Sequence, residues 1–409
     1  MGQILKGAPV ESKKRYVILD ALRGFAILGI CMANYPEFSL YSFMTDEETA
    51  MMTTAGIDKV VKWFLYLIID GKFYTIFSLL FGVGFSIIIN NSRNKGINGT
   101  KIFYRRMTVL FIIGLLHLIL IWSGDILMLY AIVGMTLPLF VRLKDKTLLL
   151  TGGLFLLVPV IVDTICDFTH TNLSSIFVGC QNYYSVKYGI EEVGFAYWLS
   201  HAQHYGDVLK FLVMGAFERM VEFVDGNRYF KVLGLFLIGL YLGRNRYYAD
   251  LKAHIKQLQK ICLWGLCIGL PLSSIYAWSC IDSHPWGLSI HSLLYFISVY
   301  LTSFGYVALF CLLYLKKDNW KIWKILSFPG KMALTNYIGQ SVIGMFIFYG
   351  IGFGLGSHLG LVFTELIAVG VFIFEIILSY IWLKPLSFRF GPLEWIWRCL
   401  TYNKYLPIR

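Results

Sequence analysis

Charge is scarce in this chain: Asp, Glu, Lys and Arg make up only 15% of its 409 residues. Soluble domains carry about 25%, so an ordinary water-exposed globule is excluded. The cations outnumber the acids, 36 to 24, but they form no basic domain. They flank apolar runs instead, as the positive-inside rule describes, and nucleic acid is not an expected partner. No Cys-x-x-C pair occurs among Cys31, Cys166, Cys180, Cys262, Cys267, Cys280, Cys311 and Cys399. Zinc-finger and thioredoxin-type motifs are therefore absent, and no metal is expected. A disulfide among Cys166, Cys180 and Cys280 stays open. The chain has no GxxxxGK[ST] phosphate loop and no internal repeat of the kind many transporters carry. The first apolar run contains Arg23 and no clear small-residue cleavage site, so it is expected to be retained.

Apolarity is what the chain has: 57% of residues are hydrophobic and the mean hydropathy is +0.65. Its apolar runs approach the ~20 residues that carry a helix across a bilayer. Backbone polar groups in lipid must bond within their own segment, which makes these runs helices. The expected fold is all-α: a polytopic membrane bundle of about ten transmembrane helices, both termini cytoplasmic. The spans are placed at 16–36, 73–90, 103–122, 125–141, 147–166, 229–243, 259–280, 290–315, 332–352 and 359–383. Cytoplasmic segments would be 1–15, 91–102, 142–146, 244–258, 316–331 and the tail 384–409. With flanking residues, about 27 of the 36 cations fall there. Residues 57–71 and 193–225 alternate apolar and polar positions at helical spacing and read as interfacial helices. The second group lies in a long outer loop, 167–228, expected to act as a lid.

Several polar groups interrupt the apolar spans. Asp20 and Arg23 share a face of the first helix. Eleven residues separate Arg23 from Asn34, which returns to within about 20° of the same direction and about 16 Å along the axis. The stripe reads either as an interfacial anchor or as pocket lining. His117 lies midway through the third span and suits a general base or a bundle hydrogen bond. Asp125 sits at a turn before Ile126, as a helix cap, a site carboxylate, or both. Asn336 and Gln340 share a face of the ninth span, as polar glue or pocket lining. In the tenth, Glu375 is deep enough to need a partner, and Glu365 lies near the outer end. Gly71, Gly82 and Gly84 mark the second span for close packing or a broken helix. In the tail, Gly391 and Pro392 start a helix. Glu394, Trp395, Trp397 and Arg398 then make it a surface anchor, or Arg389 and Arg398 an anion site. His201 and His204 read as a solvated face.

The blocks LDALRGFAILGICMAN, GKFYTIFSLLFGVGF, RRMTVLFIIGLLHLILIWSGDILMLYAIVG and FGPLEWIWRCLTY, in that order, resemble the YeiB-type (DUF418) family of bacterial membrane proteins. That family is grouped with the transmembrane acyltransferases, which include lysosomal heparan glucosaminide N-acetyltransferase and the bacterial carbohydrate O-acyltransferases. The resemblance implies a bundle in the bacterial cytoplasmic membrane. It would pass an acyl group, acetyl foremost, from cytosolic acyl-CoA to an extracytoplasmic acceptor such as a glycan or envelope molecule. Arg23 matches the arginine assigned to the CoA end, with Arg105 and Arg106 as further phosphate partners. Asn34 stands where the O-acyltransferases carry a catalytic His, and an amide is no base at neutral pH. The base is then expected to be His117, with Asp125 orienting it or the acceptor. Membrane lipid is an implied partner, and a homodimer stays open. Two rival classes fit the same composition: a transporter or lipid-handling protein, and a non-catalytic scaffold or sensor.

Overall fold

Long apolar runs broken by Gly, Pro and charged pairs dictate helices separated by sharp turns. The computed structural model describes residues 16–409, and no strand occurs among them. The segment 1–15, expected on the cytoplasmic side, lies outside the described residues.

Helix α1 (Val17–Phe38) opens the bundle. The short α2 (Asp46–Ala50) is closed by a capping box between Thr45 and Glu48. Helix α3 (Ala55–Phe64) runs into a π turn, Leu65–Ile69, and breaks at Asp70 and Gly71 before α4 (Lys72–Asn94). The segment expected over 57–71 is thus helical, and the second span is longer than expected. Next come α5 (Gly99–Leu120), α6 (Leu127–Gly134) and α7 (Asp145–Thr169). The expected outer loop folds as α8 (Ser175–Tyr188), α9 (Ile190–Val193), α10 (Phe195–Ser200) and α11 (Tyr205–Asp225). The rest is α12 (Arg228–Arg244), α13 (Ile255–Cys267), α14 (Gly269–Ile281), α15 (Gly287–Lys316), α16 (Lys321–Lys331), α17 (Ala333–Phe348), α18 (Leu361–Leu383) and α19 (Pro392–Tyr402).

Among the described residues, seven stretches are long and apolar enough to cross a membrane: Val17–Phe38, Ala55–Asn94, Gly99–Leu120, Asp145–Thr169, Lys252–Ile281, Gly287–Lys316 and Leu361–Leu383. Their outward faces are apolar, as Leu150, Leu154, Leu157, Ile161 and Ile165 on α7 illustrate. An apolar belt of this kind needs lipid rather than water against it.

Three expected elements differ. The span at 125–141 is only α6 plus a 3₁₀ turn, Leu137–Phe140, because Pro138 supplies no helical N–H. The span at 259–280 breaks at Ile268, where the Pro271 ring would strike the Cys267 carbonyl. The segment 316–331, expected as a loop, contains α16. Its lysines masked an apolar face that buries Trp323, Phe328 and Pro329. All eight cysteines are free thiols.

Several helix pairs touch backbone to backbone, α1 with α16 and α4 with α12 among them. A Cβ on Gly24 would stand 1.9 Å from the Leu326 carbonyl oxygen, and one on Gly330 1.8 Å from that of Asp20. Helices α4 and α12 meet the same way: a Cβ on Gly82 would lie 2.2 Å from the Phe236 oxygen, and one on Gly239 2.2 Å from that of Leu79. These are small-residue contacts of the kind that hold helices together in lipid. Gly239→Leu is expected to force α4 and α12 apart and cost about 1–3 kcal/mol. A thermal melt of the purified variant in detergent checks this, and an unchanged midpoint would contradict it.

Candidate functional site

A cavity of about 520 Å³ lies inside the bundle, within the size range of small-molecule sites. Helix α1 presents Arg23, Ile27, Ile30, Asn34 and Glu37 to it, spaced three and four apart as one helical face requires. Helix α4 faces it with Phe73, Phe77, Phe81 and Phe85. The walls are therefore apolar along their length and polar at the two ends.

One end is cationic. Arg23, Arg106, Lys331 and Arg398 all line it. Asp20 is almost fully buried and accepts from Arg23 at 2.8 Å, while Arg23 keeps 24% of its side chain exposed. The Arg106 guanidinium lies 3.5 Å above the Trp397 ring, whose indole N–H donates to the Arg106 carbonyl at 2.8 Å. Helix α19 is therefore part of the cavity wall, not a loose surface anchor. Glu394 holds it there: its carboxylate accepts from the backbone N–H of Leu334 at 2.6 Å and of Thr335 at 3.0 Å, and from the Thr335 hydroxyl at 2.6 Å. That arrangement caps the N-terminus of α17. Burial pushes the Glu394 carboxyl up, against the pull of these hydrogen bonds.

The other end carries both signs of charge. Asn34, Glu37, Asp70, Arg219, Arg228, Lys231 and His291 line it. Arg219 donates to the carbonyls of Asp125, at 2.8 Å, and Gly124, and to the Glu222 carboxylate. Arg228 reaches the same carboxylate at 3.0 Å. Desolvation works against the Glu222 charge, but Arg219 and Arg228 hold its carboxyl below the usual range. Glu37 feels Glu222, Arg219 and Arg228 as its charged neighbours. Among the described residues, the side chains of Asn34 and Glu37 have no hydrogen-bond partner, so both are available to an occupant.

His117 and Asp125 sit behind the wall, lining none of the cavity. His117 is 1% exposed and Asp125 0%. The His117 Nδ1 is 2.9 Å from Asp125 Oδ2, and its Nε2 is 2.9 Å from Ser341 Oγ. Asp125 Oδ1 also accepts from the Met128 N–H at 2.8 Å, so the carboxylate caps α6 and pairs with His117 at once. Both ring nitrogens are engaged, and the imidazole ties α5, α6 and α17 together.

The other expected residues divide between cavity and seam. Arg105 points away, into a shallow groove with Asn98, Lys101 and Leu400. Asn336 donates to Ser379 Oγ at 3.1 Å and Gln340 to Glu375 Oε2 at 2.8 Å. These residues join α17 to α18 and do not line the cavity. Glu365, expected near solvent, is 7% exposed. Glu37 was passed over in the sequence although it follows Asn34 by three residues, on the face that carries Arg23. Arg228, Lys231, Asp70 and His291 had no local signal, because three separate elements, α12, the break before α4 and α15, bring them together.

Removing His117 leaves Asp125 buried without its partner. His117→Ala is expected to cost about 3 kcal/mol or more, read as a fall in melting temperature in detergent. His117→Gln, which keeps a hydrogen-bonding group, should recover part of that fall.

Comparison with known proteins agrees with the resemblance. Residues 242–404 match the model of the family described as "Protein of unknown function (DUF418)". The chain is 29% identical over 409 residues to the uncharacterized protein YxaH of Bacillus subtilis (strain 168), covering 98% of this chain and 97% of that one. It is 28% identical over 400 residues to an uncharacterized 39.9 kDa protein in the amylase 3' region of Bacillus acidopullulyticus, covering 98% of this chain and 97% of that one. It is 29% identical over 413 residues to the uncharacterized protein YeiB of Escherichia coli (strain K12), covering 96% and 98%. With near-complete overlap at this identity and the family match over residues 242–404, the comparisons support the resemblance to the YeiB-type DUF418 family.

Proposed function

We propose that this protein is a transmembrane acyltransferase of the bacterial cytoplasmic membrane. It would take an acyl group, acetyl foremost, from cytosolic acyl-CoA and pass it to an acceptor on the outer side. One observation carries the reading: a single cavity joins a four-cation mouth to a second polar end, along the stripe from Arg23 to Glu37. Ten crossings follow if Leu127–Phe140, α12 and α17 are short crossings beside the seven long stretches. An even number puts both termini in the cytoplasm, where Lys and Arg concentrate. The cationic mouth then faces the cytosol, and α8 to α11 lie outside as the lid.

In this reading Arg23, Arg106, Lys331 and Arg398 hold the CoA phosphates by charge-assisted hydrogen bonds. The pantetheine arm lies along Ile27 and Ile30, and about 16 Å of α1 separates Arg23 from Asn34. The thioester carbonyl then meets the Asn34 amide, which donates to its oxygen as charge develops there. Glu37, one turn further, takes the proton from the acceptor hydroxyl or amine. The new bond forms to the carbonyl carbon, the C–S bond breaks, and the proton passes from Glu37 to the departing thiolate. His117 and Asp125 serve as positioning residues, since they fix the turn whose Gly124 and Asp125 carbonyls hold Arg219. Asn336, Gln340 and Glu375 hold the α17 wall.

The mixed charge of the outer end also favours a second reading, in which Arg219, Arg228 and Lys231 receive an anionic group that the protein carries intact. Proteoliposomes separate the two: counterflow of unmodified substrate supports carriage, and a covalent acyl product supports transfer.

Calorimetry of acetyl-CoA with the purified chain tests the donor. Arg23→Ala is expected to weaken binding roughly tenfold, and no binding to the unaltered chain would overturn the assignment. Glu37→Gln should leave that binding intact and lower product formation roughly 100-fold or more. Full activity in Glu37→Gln would remove the base.

A further inference from the structure

Beside the outer end of the cavity, three metal-ligating side chains converge from two helices and a turn. The available ligand atoms of Cys280, His284 and His291 all lie within 4.8 Å of one another. Cys280 is on the last turn of α14, His284 in the connection after it, and His291 on the first turns of α15. In the sequence they read Cys-x₃-His-x₆-His, a spacing outside the usual zinc patterns. The two imidazole centroids are 4.0 Å apart and nearly perpendicular, as T-shaped rings.

The surrounding structure holds these groups in place. The Ser289 N–H donates to Asp167 at 2.7 Å, and the Ser292 hydroxyl donates to Asp163, which pins the start of α15 against α7. His291 lies between these serines and turns to α14, 5.3 Å from the Tyr276 ring. The His284 N–H closes onto the Ser279 carbonyl at 2.8 Å. Ser283 and His284 both adopt left-handed backbone, with φ of 52° and 59°. Such conformations cost free energy and persist where the surroundings enforce them.

One atom makes the cluster more than a packing contact. The His291 Nδ1 is buried and has no hydrogen-bond partner among the described residues. A buried polar atom left unpaired costs about 1–3 kcal/mol, and this imidazole also offers a ligand atom within 4.8 Å of those of Cys280 and His284. The Tyr276 hydroxyl interacts with the Cys280 thiol and donates to Asp70 at 2.6 Å. This supplies the outer hydrogen bonding that tunes metal ligands.

We propose that Cys280, His284 and His291 form a binding site for a divalent zinc-type cation at the outer end of the cavity. One thiolate and two imidazoles match the borderline softness of Zn²⁺. Tetrahedral ligands at 2.0–2.3 Å stand about 3.5 Å apart, so side-chain rotation closes the cluster without moving the helices. A thiolate at Cys280 and the Asp70 carboxylate together balance the dication. Three protein ligands leave a fourth position for water or for a group of the cavity's occupant, and His291 lines that cavity. The metal would also staple the α14–α15 connection.

The test is uptake of Zn²⁺ and Co²⁺ by the purified full-length chain in detergent, after removal of loose metal, with elemental analysis and absorption spectroscopy. About one ion per chain is expected, and the Co²⁺ form should show the near-ultraviolet thiolate-to-cobalt band. C280S should abolish that band, and H284A should weaken retention roughly 10–100-fold or more. His284 is in a connection outside the spans, so H284A is the variant least able to disturb the bundle, and size-exclusion profiles report folding. Absence of stoichiometric metal, or equal retention in C280S and H284A, would overturn the site. Because the readout is metal content, it is independent of any acyl transfer.

Discussion

The backbone contact between α1 and α16 sets the site. With Gly24 against the Leu326 carbonyl and Gly330 against that of Asp20, no side chain fits between the two helices. That contact fixes the rotation of α1 about its own axis. Arg23, Asn34 and Glu37, about 80–140° around the helix from Gly24, then face the cavity, whose mouth α16 also lines through Gly330 and Lys331. A charge buried in a bundle is costly unless it is paired or faces a polar space. Arg23 has both, with Asp20 beside it and the cavity in front.

Polar side chains tie the walls around the cavity together. Behind α6, the Ser341–His117–Asp125 chain satisfies three helices at once, and the Arg219 guanidinium closes the turn from the other side. Between α17 and α18, Asn336 meets Ser379 and Gln340 meets Glu375. The His117 chain engages both imidazole nitrogens, whereas Gln340 Oε1 and Glu375 Oε1 have no partner among the described residues, so the second seam is only partly paired. Asn34 and Glu37 face the cavity beside these seams.

The two ends of the cavity differ in how their charge is held. At the cationic mouth, α19 contributes Arg398 and stacks Trp397 on Arg106, while Glu394 caps α17 and so locks the tail to the bundle. At the far end, Glu222 bridges Arg219 and Arg228, joining α11 to the start of α12. Segments that composition alone would call peripheral, the tail and the long loop, therefore complete the site at either end.

The sequence by itself determined the helical class, the membrane-spanning character and the polar stripe of α1, because each depends on residues close along the chain. Hydropathy decides burial in lipid, and a 3.6-residue period decides which side chains share a face. Glu37 was legible on the same grounds, from its register with Asn34. The short α6 and the α13–α14 break were encoded as well, at Pro138 and Pro271, but long apolar runs hid them. Tertiary structure alone decided that His117 braces a wall, that Gln340 pairs with Glu375, and that Arg398 meets Arg23 across one mouth. It alone placed His291, Cys280 and His284 together. Those outcomes depend on how helices rotate and cross, which is fixed by side-chain volume at contacts such as Gly24 with Gly330, between residues some 300 positions apart.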